Sequence, residues 1–360
     1  MDKMRIAIIG QGRSGRDIHG AFLHTPAAKE LFEVAAIVDE MEDRRARAKE
    51  EWKVPVFAKY QDLFTMENPV ELVVNSTYSD QHAEITKDLL AHGFHVLTEK
   101  PACRNVAEFD AMVEASQKAE KFLGIFQQSR FAPYYVQVKK VLDSGVLGRI
   151  IDVDIRFNSF QRRWDWQTLL SCNGGSLRNT GPHPLDQALN ILDAYDDMPS
   201  VFCKMDRVNT FGDAEDYVKL ILTMPNKPLI DLTISCCDAY PTYTYKIHAS
   251  NGGLKGTMKH IDWKYFDPST APHQELKRKA ISHEDGTPAY CSEKLTFVEE
   301  SWDGDANGAF DVAVEAYYHQ MYKQIREGIP MDVTLKQVRQ QVIVYEEAHR
   351  QNPLSPLEDA

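Results

Sequence analysis

The first third of the chain alternates short apolar runs with longer amphipathic stretches. Residues 5–9, 32–38, 56–57, 72–75, 95–98 and 122–125 are apolar or β-branched runs of strand length. Between them, 14–22, 44–51, 81–92 and 105–118 carry helical patterns, the third stopped by Gly93. Strands separated by helical stretches of about 10–15 residues predict βαβ crossovers and a parallel sheet. After Arg130 the pattern changes. A helix over 132–144 stops at Gly145, and longer alternating or β-branched runs follow at 150–158, 200–208, 217–223, 229–236 and 244–249. Turn signals such as Pro225-Asn226-Lys227-Pro228 and Asn251-Gly252-Gly253 join some of them. This predicts a mostly antiparallel sheet with one embedded helix over 184–192. Residues 267–309 are rich in Pro, Ser, Gly and charge and are expected to form a long irregular excursion, before helical patterns return at 312–327 and 335–350. The chain reads as α/β with two domains, 1–128 and 129–360, its last helices free to pack back on the first.

The first run ends in Gly10-Gln11-Gly12-Arg13-Ser14-Gly15. A G-x-G-x-x-G turn alone says little. Here a strand precedes it, a helix follows, and the second strand ends in the acid Asp39, the context of a dinucleotide cradle. Gly10 permits the tight turn, Gly12 lets a pyrophosphate reach the backbone, and Gly15 lets the helix pack on the strand. The helix start supplies free N–H groups for an anion. Asp39 can accept the adenosine ribose hydroxyls and repel a 2′-phosphate, which points to NAD; it can also be a helix cap. Arg44 can stack on adenine or be one charge in the run 42–49.

Charge and composition narrow the partners. A net charge of −12 argues against nucleic acid or an anionic membrane. No apolar run reaches the ~18 residues of a membrane span. Met1 to Arg5 leads straight into the first strand, so no secretory signal is expected. The six cysteines include no C-x-x-C pair, which suggests reduced thiols in a cytoplasmic protein and no cysteine-based metal site.

A second signature, His95-Val-Leu-Thr-Glu99-Lys100-Pro101, puts a lysine at the carboxyl end of a parallel strand, where open α/β sheets place their ligands. With the glycine turn, Leu147-Gly148-Arg149-Ile150 and the stretch from Gly174-Gly175-Ser176 through Asn179-Thr180-Gly181-Pro182-His183 to Asp186, the chain resembles the Gfo/Idh/MocA oxidoreductases over nearly its whole length. The resemblance implies a Rossmann domain followed by an α/β domain on a large open sheet, with a nicotinamide between them. The other sheet face often serves oligomer contacts, so a homo-oligomer, dimer or tetramer, is expected.

The resemblance carries the family's lysine onto Lys100 and its catalytic histidine onto His183. The residues agree with it. Oxidising a secondary alcohol needs a base for the hydroxyl proton while hydride leaves for the nicotinamide. His183 precedes Pro184, a good first helical residue, and a helix N-terminus keeps an imidazole neutral. Lys100, partly buried beside a positive nicotinamide, should have a lowered pKa and can steady an alkoxide. Many family members carry an aspartate at the position of Asn179. An amide can bind a substrate hydroxyl but cannot act as an anion toward an imidazolium. Asp186 can orient His183 or serve only the helix dipole.

Around this centre, Ser76, Thr77, His82, Glu99, Gln128 and Arg130 are candidates to line the cofactor or to cap loops. Arg163 and Trp166, in the Arg- and Trp-rich stretch 158–168, and Tyr240 are candidates to hold a sugar, against the alternative of a packed corner. The expected activity is NAD-dependent oxidation of a secondary hydroxyl on a sugar, polyol, inositol or glycoside. Two alternatives are a glycosidase that cycles hydride internally on bound NAD, and a silent NAD-binding regulator.

Overall fold

Ile6, Ala7 and Ile8 are wholly buried. Both faces of their strand are covered, as a parallel sheet flanked by helices requires. The computed structural model describes residues 3–193, 195–305 and 308–357. Its first sheet is parallel, with β1 (Met4–Ile9), β2 (Phe32–Val38), β3 (Val56–Phe57), β4 (Leu72–Asn75), β5 (His95–Thr98) and β6 (Leu123–Ile125) in the order β3-β2-β1-β4-β5-β6. The order reverses between β1 and β4, which opens a crevice at their carboxyl ends. The helix after β1, Arg13–Gly20, is wound wide, continues into Ala21–Leu23, and crosses the strand closely. A Cβ on Gly15 would lie 1.8 Å from the Gly10 carbonyl oxygen, so only glycine permits this crossing. Gly10 itself sits at φ +89°, against Ser76.

The second sheet has eight strands: β7 (Ile150–Asn158), β8 (Ser200–Asp206), β9 (Tyr217–Thr223), β10 (Leu229–Ser235), β11 (Tyr245–Ala249), β12 (Gly252–Gly256), β13 (His260–Tyr265) and, after a small hairpin β14 (Ile281–Ser282) and β15 (Pro288–Ala289), β16 (Val298–Asp303). Their order is β16-β13-β12-β11-β7-β10-β9-β8. Only β7 and β10 pair in parallel. One face is buried against the helix Pro182–Leu192, with Val153, Ile155, Leu220 and Leu232 in one core with Leu185 and Leu189. The chain is thus an α/β protein with a parallel sheet and a second, mostly antiparallel one.

In the eight-stranded sheet three strands depart from the sequence pattern. β12 reads Gly-Gly-Leu-Lys-Gly, β13 follows at once, and β16 falls inside the stretch expected to be irregular. Pairing with a neighbour, rather than local propensity, makes them strands. The embedded helix also starts earlier than expected, at Pro182, so His183 lies within its first turn.

The last two helices, Ala309–Glu327 and Leu335–Gln351, serve both sheets. Val314, Tyr317, Tyr318, Met321 and Tyr322 belong to the same core as Met4, Ile6 and Ile8. Val338 and Val342 join the opposite side of the first sheet, while Val344, Tyr345 and Ala348 join the core under the second.

A buried polar network ties these parts together. Arg130, just after β6, donates Nε and Nη2 to the two Asp186 oxygens, each at 2.7 Å. Gln341 of the last helix donates to Asp186 at 2.7 Å and accepts from Gln127 at 2.8 Å. Asp186 therefore does more than face a helix dipole. Breaking one side of a buried pair leaves the other charge unmatched, at a cost of ~3–5 kcal/mol. Arg130→Met should lower the thermal midpoint by several degrees and Arg130→Lys by less; a melt unchanged in Arg130→Met would remove the pair from the fold's support.

Candidate active site

The carboxyl ends of β1, β4, β5 and β6 deliver the glycine turn, Ser76, Lys100 and Gln128 to one crevice. No side chain caps the start of the Arg13–Gly20 helix. At Gly12 the nearest atom to an added Cβ is an Arg44 guanidinium nitrogen at 3.6 Å, so the outer side of the turn is open. Buried polar atoms without a protein partner cluster among the residues assigned to this crevice: Gln11 Oε1, Ser76 Oγ, Gln128 Oε1 and His183 Nδ1. An open glycine turn at a helix start, with unmatched donors and acceptors after neighbouring strands, fits a dinucleotide.

Asp39 is buried at the end of β2. Its Oδ2 accepts the Gln11 N–H at 2.6 Å and its Oδ1 the Met41 N–H at 2.9 Å. The Arg44 guanidinium lies 3.6 Å away. The carboxylate thus pins the glycine turn to β2.

Lys100 and Pro101 are joined by a cis peptide bond. The Lys100 ammonium donates to the Asn179 carbonyl oxygen at 3.1 Å, across from the second domain. Burial pushes its pKa down, and the nearby charges of Arg13 and Arg163 add to this against Glu99. Glu99 is 3% exposed. Its Oε2 accepts the Lys100 N–H at 3.0 Å and its Oε1 lies 3.2 Å from His19 Nε2. Burial works against the carboxylate, but the His19 hydrogen bond and the charges of His19 and Lys100 outweigh it, and the pKa falls to about 2. With Glu99 ionised, His19 Nε2 donates, and His19 Nδ1 meets the Tyr318 hydroxyl at 2.7 Å.

His183 feels the Lys100 ammonium directly. Burial first, and that charge second, push its pKa down to about 3, so the ring is neutral at ordinary pH. Its backbone N–H meets the Thr180 carbonyl at 3.2 Å. A small polar cavity in the second domain is lined by Arg163, Gln167, Asn179, Thr210 and Glu215. Arg163 is held by Asp165 at 2.8 Å and by Gln167. Trp166 stands edge-on to Tyr78 with ring centroids 4.8 Å apart, bridging the loop after β4 and the second domain.

Several candidates sit elsewhere. Arg130 is committed to Asp186. His82 lies beneath the loop, its ring nitrogens 2.7 Å from the Pro101 carbonyl and 3.1 Å from that of Thr77, and Thr77 bonds Asn75. These two shape the loops around Lys100. Tyr240 is 87% exposed and does not line the cavity. Glu215 was not singled out in the sequence. Its Oε1 accepts the Leu177 N–H at 2.9 Å, while its buried Oε2 has no hydrogen-bond partner. The acid-rich Asp213-Ala-Glu-Asp216 run before β9 was the available signal.

Among the described residues no cluster of His, Cys, Asp or Glu side chains could hold a metal ion, and no helix is long and apolar enough to cross a membrane.

A glycine turn that fits a nucleotide, with a buried lysine and a neutral histidine close to one another, suits a nucleotide-dependent oxidoreductase. Residues 4–127 match the family model described as the oxidoreductase family, NAD-binding Rossmann fold, and residues 135–255 match the GFO/IDH/MocA C-terminal domain. The chain belongs to the Gfo/Idh/MocA oxidoreductase family. It is 26% identical to an uncharacterized oxidoreductase of Schizosaccharomyces pombe, over 63% of this chain and 62% of that protein. With the Bacillus subtilis scyllo-inositol 2-dehydrogenase (NADP(+)) IolW it shares 24%, over 53% and 52%. With a Thermotoga maritima myo-inositol 2-dehydrogenase it shares 32%, over 41% and 42%. The matched region thus spans less than two thirds of each of these three relatives. The fold matches the NAD-binding protein from Listeria innocua, with a TM-score of 0.79 and 17% identity over 99% of this chain and 100% of that one.

Proposed function

We propose that this chain oxidises a secondary hydroxyl of a sugar, polyol, inositol or glycoside, with NAD as hydride acceptor. The observation that carries the reading is the Lys100 ammonium fastened to the Asn179 carbonyl beside a neutral imidazole with a buried, unpartnered Nδ1. The inositol dehydrogenases among the relatives support a polyol-like substrate. A bound nicotinamide supplies the hydride acceptor. The chain's own residues do the rest. His183, neutral and with a buried Nδ1 that has no protein partner, takes the hydroxyl proton. Lys100 donates to the same oxygen and stabilises the negative charge that grows on it. Asn179, Arg163 and Gln167 hold neighbouring hydroxyls, and Trp166 offers a face to the C–H side of the ring.

Absorbance of NADH in a screen of inositols, monosaccharides and glycosides tests this directly. Lys100→Ala and His183→Ala should each still bind NAD and lose turnover by ~100-fold or more. Wild-type turnover in either variant takes that residue out of the chemistry. Sugar release without NADH accumulation would instead indicate hydride returned internally.

Asp39 should set the cofactor. NAD is expected to be preferred over NADP, and Asp39→Ser should narrow that preference. Equal kcat/KM for the two cofactors in the unaltered protein would refute the assignment.

The pH dependence follows from His183. A ring that binds its proton only near pH 3 leaves kcat/KM free of a histidine limb between pH 5 and 8. Asn179→Asp places a negative charge near the ring, favours the imidazolium and raises its pKa. Activity on the acid side should then disappear at higher pH than in wild type. Asn179→Ala should mainly raise KM. A profile unmoved in Asn179→Asp would show that the side chain does not face His183.

A further inference from the structure

We propose that Glu215 is a positioning residue for Lys100: it fixes the start of the short helix Ser176–Asn179, whose last carbonyl holds the ammonium. This deepens the oxidation reading and rests on it for the role of Lys100.

A helix of four residues makes too few bonds to hold itself in place, and its first N–H groups need outside acceptors. Gly175, at its start, has no side chain to offer. Glu215 supplies two acceptors. Its backbone carbonyl takes the Ser176 N–H at 2.8 Å, and its Oε1 takes the Leu177 N–H at 2.9 Å. The approach is close. A Cβ on Gly175, which sits at φ +105°, would lie 2.4 Å from Oε1 and 2.5 Å from Oε2. Glycine is what lets the carboxylate reach the helix.

Glu215 is itself held on both sides. The Ala214 N–H donates to the Thr168 carbonyl at 3.0 Å. The two Asp216 oxygens accept the Val208 and Asn209 N–H groups, each at 2.7 Å. His349 of the last helix brings Nε2 to 3.8 Å from Glu215 Oε2, and the Glu215 side chain is wholly buried. An acid fixed in this way is an anchor rather than a solvated loop charge.

From this anchor the order passes along the chain. The Asn179 N–H donates to the Gly175 carbonyl at 2.8 Å. The Asn179 carbonyl then accepts the Lys100 ammonium at 3.1 Å, the ammonium's one hydrogen bond among the described residues. The Gly181 N–H continues the series on the Ser176 carbonyl at 2.9 Å. The acceptor that meets Lys100 from the second domain is therefore placed by Glu215. If that acceptor moves, the ammonium loses its match and gives up its proton more readily.

Trace acetylation of Lys100 across pH, read by peptide mass spectrometry without cofactor or substrate, tests this. Glu215→Ala removes the Leu177 acceptor and should move the Lys100 profile down by about one pH unit. Glu215→Asp keeps the charge, falls short of the helix, and should do the same. Glu215→Gln keeps an oxygen at the right reach without the charge and should recover the wild-type profile. Leu222→Ala, a core change in β9, controls for lowered stability and should leave the profile alone. A wild-type profile in Glu215→Ala or Glu215→Asp, with only the melt lowered, makes Glu215 a helix cap alone and overturns the proposal. An equal shift in Glu215→Gln assigns the effect to charge and overturns it too. If Glu215→Ala does not fold, Glu215→Asp decides. With a substrate in hand, kcat should fall about tenfold or more in Glu215→Asp at unchanged NAD affinity, and recover in Glu215→Gln. A shifted profile with unchanged kcat upholds the positioning and counts instead against the oxidation role of Lys100.

Discussion

The site depends on one buried ion pair, Arg130 with Asp186. A carboxylate that is 1% exposed is tolerable only where its charge is matched and its oxygens are bonded, and here a guanidinium and the Gln341 amide do both. The consequence is geometric. Asp186 lies three residues, just under one helical turn, beyond His183, so fixing the carboxylate fixes the first turn of that helix. Arg130 follows β6, whose neighbour β5 ends at Thr98, two residues before Lys100. The imidazole and the ammonium come from different domains, and this pair sets their separation. Gln187 reinforces it, with its amide on the Ser129 carbonyl at 3.0 Å and its carbonyl on the Tyr245 hydroxyl.

The electrostatics around Lys100 come from opposing pressures. Burial, Arg13 and Arg163 disfavour its charge, while Glu99 favours it. Glu99 can remain ionised there because His19 donates to it and Tyr318 braces His19 from the far side. A lysine in such a balance is easier to deprotonate than one in water and is still held in place. Glu99 also favours charge on His183, but burial and the Lys100 charge outweigh it, and the ring stays neutral.

What could be read from the sequence followed local rules. The parallel sheet was legible because its strands are continuous apolar runs between helical stretches, and β1, β4 and β5 are buried almost throughout. The glycine turn was legible because each glycine has a steric reason. The tyrosine-rich helix Ala309–Glu327 showed its helical pattern but not its destination, which depends on non-local packing. β12, β13 and β16 were invisible for a related reason: glycines and exposed charges form strands there through pairing alone. Within the site, polar residues adjoining motifs were easy to nominate. Whether they turn to the crevice or inward was not, because Arg130 and His82 found their partners far along the chain or across a loop. Glu215 was missed because an acid before a strand is commonplace until its burial, with Oε2 held only by His349 at 3.8 Å, is seen.

The placement of Tyr317 and Tyr318 among the first sheet's core residues bears on how the molecule is made. The Tyr317 hydroxyl donates to the Ile125 carbonyl at 2.7 Å, and the Tyr318 ring packs on Phe22 and Phe32. A ribosome adding about 5–20 residues per second needs on the order of tens of seconds to travel from β6 to this helix. Until the helix emerges, the amino-terminal sheet lacks one wall and His19 lacks its hydroxyl partner. The nascent first domain therefore leaves the tunnel with an apolar flank that the last part of the same polypeptide closes.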